Sequence, residues 1–179
     1  LQLRRVAFVA SEKPEMSVSA KTNQVEADMI AAMVERIFRQ ADRFDDSATV
    51  GVIVPYRNQI ATVRNAIDRY GIPALHSITI DTVERFQGSQ RDYIIYGLTV
   101  QQRYQLNFLT DNVFEEDGTL IDRKLNVAMT RARKHLTIVG NPDILAGSAV
   151  YRRLMDFMKS RGCYFNVACE KFCAGDFSV

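Results

Sequence analysis

Cysteine is scarce: three residues in 179, Cys163, Cys169 and Cys173, all near the C-terminal end at a C-x5-C-x3-C spacing. An odd count without C-x2-C pairs argues against a disulfide framework and against a zinc ribbon. Reduced thiols in a cytoplasmic setting, a bacterial cytosol, are the expectation. His76 and His135 lie far from the cysteines in sequence, so a composite metal site has little support and none is expected. Net charge is nearly absent too, because 23 Lys and Arg against 21 Asp and Glu leave +2. That is too little to argue for a polyanionic partner by bulk electrostatics. Basic residues crowd only locally, at Arg123-Lys124, Arg131 to Lys134 and Arg152-Arg153, a pattern that solvated faces also show. No apolar run approaches a membrane span and no charged-then-apolar leader opens the chain, so no membrane partner is expected. No glycine precedes a lysine, so there is no G-x-x-x-x-G-K-[ST] phosphate loop, and no acidic strand-end pair stands out. No G-x-G-x-x-G follows an apolar strand either, which removes support for a dinucleotide-dependent small-molecule enzyme. The first residue is Leu1 rather than Met, and a piece of a longer protein is expected.

What is present reads as one α/β domain over residues 1–179, with 47% hydrophobic and 25% charged residues supplying an ordinary core and surface. Val6 to Ala10 is a short apolar strand, and Ser11 to Ala20 a loop. Asn23 stands three residues before Glu26, a helix-capping pair. Ile30, Met33, Val34, Ile37, Phe38 and Ala41 then mark an amphipathic helix of about five turns. Thr49 to Val54 is a buried, parallel-type strand closed by Pro55, and Tyr56 to Tyr70 a helix with Ile60, Val63 and Ile67 inward and Gly71 as its stop. Ile78 and Ile80 alternate as in a strand, Thr82 to Gln87 makes a turn, and Gly88 reverses the chain into a strand from Tyr93 to Leu98. Gln101 to Arg123 carries an acidic stretch and no period, and is expected to be a long ordered loop. Ile121, Leu125, Ala128 and Met129 form a helical stripe with Lys124 and Arg131 on its polar flank, followed by a strand from His135 to Val139. Val150, Leu154, Phe157 and Met158 mark a last helix ending at Arg161-Gly162.

Arg131 stands where that helix runs into the strand, so its backbone is fixed on both sides and its side chain can reach an anion outside its own domain. A lone arginine there is usually a solvated charge with its stem on the surface. The string around it, LNVAMTRAR (Leu125 to Arg133) before an apolar strand, resembles motif VI of superfamily 1 helicases. The likeness is strongest to the 1B branch, the relatives of Senataxin, Aquarius and the nonsense-mediated-decay helicase. Upstream and in order, IVPYRNQ (Ile53 to Gln59) resembles motif IV, and SITIDTVERFQG (Ser77 to Gly88), leading into SQRD, resembles motif V. Asn23 to Ala27 is similar to the N-x-x-E-A segment before motif IV.

The resemblance covers about residues 4–160 and only the second half of such a motor. It implies a three-layer RecA-like domain of the P-loop NTPase type: a mainly parallel sheet with helices on both faces, without its own phosphate loop. It makes Arg131 the finger on the γ-phosphate of ATP, with Arg133 supporting that motif. Gln90 and Gly88 fall at the nucleotide. Thr82, Gln87, Tyr56 and Arg57 fall on the track of single-stranded DNA or RNA. Two positions depart from the pattern: Glu84 replaces an Asp, and Gln90 replaces a Glu that touches the nucleotide in many members. An amide can hydrogen-bond a ribose hydroxyl but cannot act as a carboxylate. The phosphate loop and the Mg2+ ligands are expected from an N-terminal RecA-like domain, so the chain alone should not hydrolyse ATP. The competing expectation is a non-catalytic nucleic-acid-binding module that kept the fold and lost the motor.

Overall fold

The computed structural model describes residues 5–14, 19–86 and 89–175. The first strand, β1, is Val6–Ala10 as the sequence suggests, with four of its five residues buried. Asn23 caps α1 (Gln24–Gln40) by accepting the Glu26 N–H at 3.1 Å, which satisfies one of the free donors of a helix start. β2 (Val50–Val54) is buried at every position, as a central parallel strand must be. Tyr56 is in extended backbone and precedes α2 (Arg57–Asp68) as its N-cap, so the helix is shorter at both ends than its apolar period suggests. Gly71 takes φ 64° just after it, a left-handed turn that a residue without Cβ adopts freely. A 3-10 turn at Pro73–Leu75 leads into β3 (Thr79–Thr82), and β4 spans Arg91–Gly97.

Gln101 to Arg123 is not the loop expected. It holds a short helix, α3 (Gln105–Leu109), and an antiparallel hairpin of β5 (Val113–Glu116) and β6 (Thr119–Asp122). Asp117 at φ 49° and Gly118 at φ 73° make its two-residue turn, the positive pair a tight hairpin needs. Ile121 therefore belongs to β6, and α4 spans Arg123–Arg131. Its buried stripe is reduced to Leu125 and Ala128, while Met129 is 45% exposed. Lys124, placed by its spacing on the polar flank, is instead buried. β7 (Ala132–Gly140), α5 (Pro142–Leu145) and α6 (Ala149–Ser160) follow. β8 (Tyr164–Asn166) and α7 (Cys169–Ala174) are additions too short to leave a period in the sequence.

Six strands form one sheet in the order β3-β2-β4-β7-β1-β8, parallel at every pairing. Side chains alternate across it. Val9, Val52, Val54, Ile95 and Val139 pack against α1, α2 and α7, whereas Phe8, Ile53, Ile94, Tyr96 and Ile138 pack against α4, α5 and α6. The result is the three-layer RecA-like α/β arrangement. Because the strands run one way, Val54, Thr82 and Gly97 end at one edge of the sheet, while Val50, Arg91 and Ala132 begin at the opposite edge.

Among the described residues, the connection from the end of β3 to the start of β4 holds no helix. A Cβ on Gly51 in β2 would stand 2.5 Å from Cζ of Phe86 and 3.0 Å from Cγ of Arg91. The Phe86 ring is fully buried there, with the Arg91 guanidinium 5.6 Å from its centroid. Gly51→Ala is expected to lower stability by about 1–3 kcal/mol, the range for overpacking a close-packed core. Urea denaturation checks this, and an unchanged midpoint would show that the ring can move aside.

Candidate functional site

Those residues singled out in the sequence that are described separate onto the two opposite edges of the sheet. At the edge where β4 and β7 begin lie Gln90, Arg131 and Arg133. Asp122 starts α4, the helix that carries Arg131: its Oδ1 accepts the Leu125 N–H at 3.0 Å and its Oδ2 accepts the Tyr151 hydroxyl at 3.0 Å. Tyr151 is fully buried, and burial pushes its hydroxyl pKa well up, so it remains a donor. The arginine helix is thus fixed at its start by a buried acceptor and at its end by the strand it enters. Arg131 donates from one terminal nitrogen to the Thr130 hydroxyl at 3.3 Å. Its Nε is buried without a hydrogen-bond partner, and among the described residues Arg131 makes no ion pair. Gln90 donates to the Thr130 carbonyl at 3.2 Å, so the end of the β3–β4 connection touches the residue beside Arg131.

Arg133 is differently placed. It donates to the Ala48 carbonyl at 2.9 Å and pairs with Asp92 at 2.9 Å, and Lys134 pairs with the same Asp92 at 2.7 Å. Its contacts tie β7 to β4 and to the approach to β2. A guanidinium left without a carboxylate fits an anion supplied from outside this chain, and Arg131 has that character. Gln87 and Gly88 lie outside the described residues.

At the other edge, where β2 and β3 end, Tyr56, Arg57 and Thr82 line a cleft of about 660 Å³ together with Arg85, Tyr104 and Phe108. Thr82 is buried at the end of β3, and its carbonyl accepts the Arg85 and Phe86 N–H groups at 3.1 and 2.9 Å, forming the turn that leaves the strand. Tyr56 provides no side-chain cap for α2, and no acidic residue occupies the first turn. That helix start therefore faces the cleft with its positive dipole end uncompensated. The Tyr56 ring stacks on Phe108 at 5.0 Å and 21°. Gln59, within the same motif, is wholly buried and exchanges two bonds with the backbone of Asn23, at 2.8 and 2.9 Å. This pins the start of α2 to the start of α1.

The sequence gives Glu26 a capping role and a place in the N-x-x-E-A segment, and the structure gives it more. It is completely buried at the same edge, where Oε1 accepts from the Ser11 hydroxyl at 3.2 Å and the Asn23 amide at 3.3 Å, and Oε2 accepts the Thr99 N–H at 2.7 Å. One carboxyl group thus joins the segments after β1 and β4 to the start of α1. It also holds Thr99 at φ 60°, a strained value for a β-branched residue. Burial pushes its pKa up to about 8 in spite of these donors. A folded-state pKa above the unfolded one adds stability at low pH that is lost as pH rises through the folded value. Urea denaturation of this chain is expected to show stability falling between pH 5 and pH 8, by at most about 1.4 kcal/mol per unit. Glu26→Gln should flatten that slope, and equal slopes in the two proteins would assign the dependence to other groups.

Sequence comparison gives this architecture its class. A family model described as an AAA domain matches residues 2–143, and the chain belongs to that family, in its superfamily 1B branch of Sen1- and Upf1-type helicases. Helicase sen1 of Schizosaccharomyces pombe is 32% identical over 159 residues, which are 88% of this chain and 9% of that protein. Helicase SEN1 of Saccharomyces cerevisiae is 31% identical over 84% of this chain and 6% of its own length. The Regulator of nonsense transcripts 1 homolog of Drosophila melanogaster is 32% identical over 88% of this chain and 13% of its own. The chain therefore spans a small fraction of the relatives it matches.

Proposed function

We propose that this chain is the second motor domain of an ATP-dependent DNA or RNA helicase. It places Arg131 on the γ-phosphate from across an interdomain cleft and forms part of the track for a single strand. The observation that carries this reading is the Arg131 guanidinium, held at the end of a doubly anchored helix with a buried, unpartnered Nε. Phosphoryl transfer proceeds largely by positioning and charge neutralisation, and an arginine offered in this way is worth about 10³ to 10⁵ in rate. Bound ATP with Mg2+ supplies the transferable phosphoryl group, its phosphate loop and metal ligands coming from an N-terminal RecA-like domain. On this chain, Arg131 meets the phosphate charge, and Gln90 and Arg133 keep the edge around it in place. Tyr56, Arg57, Thr82 and the open start of α2 hold strand phosphates at the opposite edge. The Gln90–Thr130 contact links the connection that begins at the track to the arginine helix.

The test is ATP hydrolysis by the full-length parent with and without single-stranded nucleic acid. Hydrolysis stimulated by the strand supports the motor. Strand binding without hydrolysis would instead make the chain a non-catalytic binding module.

A further inference from the structure

We propose that Tyr104 is the stacking surface for one unpaired nucleobase of the strand, with Tyr56, Phe108 and Lys124 as its rigid back wall. This rests on the nucleic-acid track described above and extends it to the bases, through a segment that carries no recognisable motif. Tyr104 is 64% exposed and Phe108 43%, two large rings on one wall of the same cleft. Tyr104 has helical backbone angles at the start of α3, so it and Phe108, four residues on, share one face of that short helix. Phe108 is already engaged. The Tyr56 ring stacks on it at 5.0 Å, and Lys124 Nζ lies 4.2 Å from its centroid while donating to its carbonyl at 2.8 Å. Lys124 is buried and also pairs with Asp111 at 2.8 Å, so the column does not move freely. Tyr104, by contrast, stacks on no ring among the described residues.

The backbone beneath Tyr104 is fastened as well. The Gln105 side chain accepts the Gln101 and Gln102 N–H groups, both at 2.9 Å, and donates to the Ala20 carbonyl at 2.6 Å. An exposed aromatic on a rigid support offers a flat surface with little ordering left to lose on binding. The cleft also names its occupant by charge. Among the described residues, Lys21, Arg57 and Arg85 line it against Glu84, Arg85 also pairing with Asp81 at 3.5 Å. Cations beside an exposed π-face fit a single strand, whose bases are open to stacking, and not a duplex, whose base faces are already covered.

The experiment uses the full-length parent and a fluorescently labelled single strand, intact or with one abasic position moved along it, read by anisotropy. Tyr104→Ala is expected to weaken binding of the intact strand roughly 5- to 150-fold, the range for loss of one stacked base, and Tyr104→Trp to retain it. At one position the abasic strand should bind wild type as weakly as the intact strand binds Tyr104→Ala, with no further loss when the two changes are combined. Intact-strand affinity unchanged in Tyr104→Ala, or losses that multiply at every abasic position, would overturn the platform and leave the track standing. Equal competition by polyglutamate against both proteins would mark a general polyanion surface and overturn it too. If wild type binds no strand at all, the helicase reading falls and the platform with it.

Discussion

Replacing Arg131 by alanine in the full-length parent is expected to lower strand-stimulated ATP hydrolysis about 100-fold or more. That is roughly what the loss of one preorganised charge at a transition state costs. Affinity for the strand without nucleotide should stay close to that of wild type, because Arg131 and the residues proposed for the track, Tyr56, Arg57 and Thr82, lie on opposite edges of the sheet. Arg131→Lys is also expected to be impaired, since an ammonium lacks the planar fork that matches phosphate oxygens. Steady-state turnover and anisotropy on the same preparations check both statements. Turnover equal to wild type in Arg131→Ala would remove that residue as the finger and leave only the family membership.

The second large effect concerns stability. Asp122→Ala removes the cap of α4 and leaves the buried Tyr151 hydroxyl without its acceptor. A lost cap costs about 0.5–2 kcal/mol and an unpaired buried donor about 1–3, so a loss on the order of 2–4 kcal/mol is expected from urea denaturation. Tyr151→Phe keeps the cap but leaves Asp122 Oδ2 without that donor, and should cost about 1–3 kcal/mol. If the two substitutions prove equally mild, Asp122 does not anchor the helix as its two bonds suggest.

These two residues differ in how far the sequence revealed them. Arg131 stood out because a long motif surrounds it. Asp122 did not, because its partner Tyr151 lies 29 positions later, and no local pattern reports a contact at that separation. The same contrast runs through the fold. β1 has the bounds of its apolar run, and α1 starts where Asn23 and Glu26 mark it, since strand burial and helix capping are written in neighbouring residues. The hairpin leaves no pattern in the sequence because Val113 to Glu116 is only half-buried or exposed and has no apolar face to alternate with a polar one. The spacing of Lys124 points to the polar flank because what buries it, Phe108 and Asp111, comes from α3 and the turn after it. Tyr104 and Phe108 sit in that stretch, so the aromatic wall of the cleft was hidden along with it. Glu26 could be seen as a cap, but its bond to Thr99, 73 positions away, could not.

The two outermost strands of the sheet are also its short ones, four residues in β3 and three in β8. Beside β3 the Arg64 guanidinium already occupies the Leu75 and Ile78 carbonyls, at 2.9 and 2.6 Å. A sheet whose long strands are all interior presents little free ladder for another molecule to extend. Such margins resist the edge-to-edge association that turns parallel sheets into aggregates.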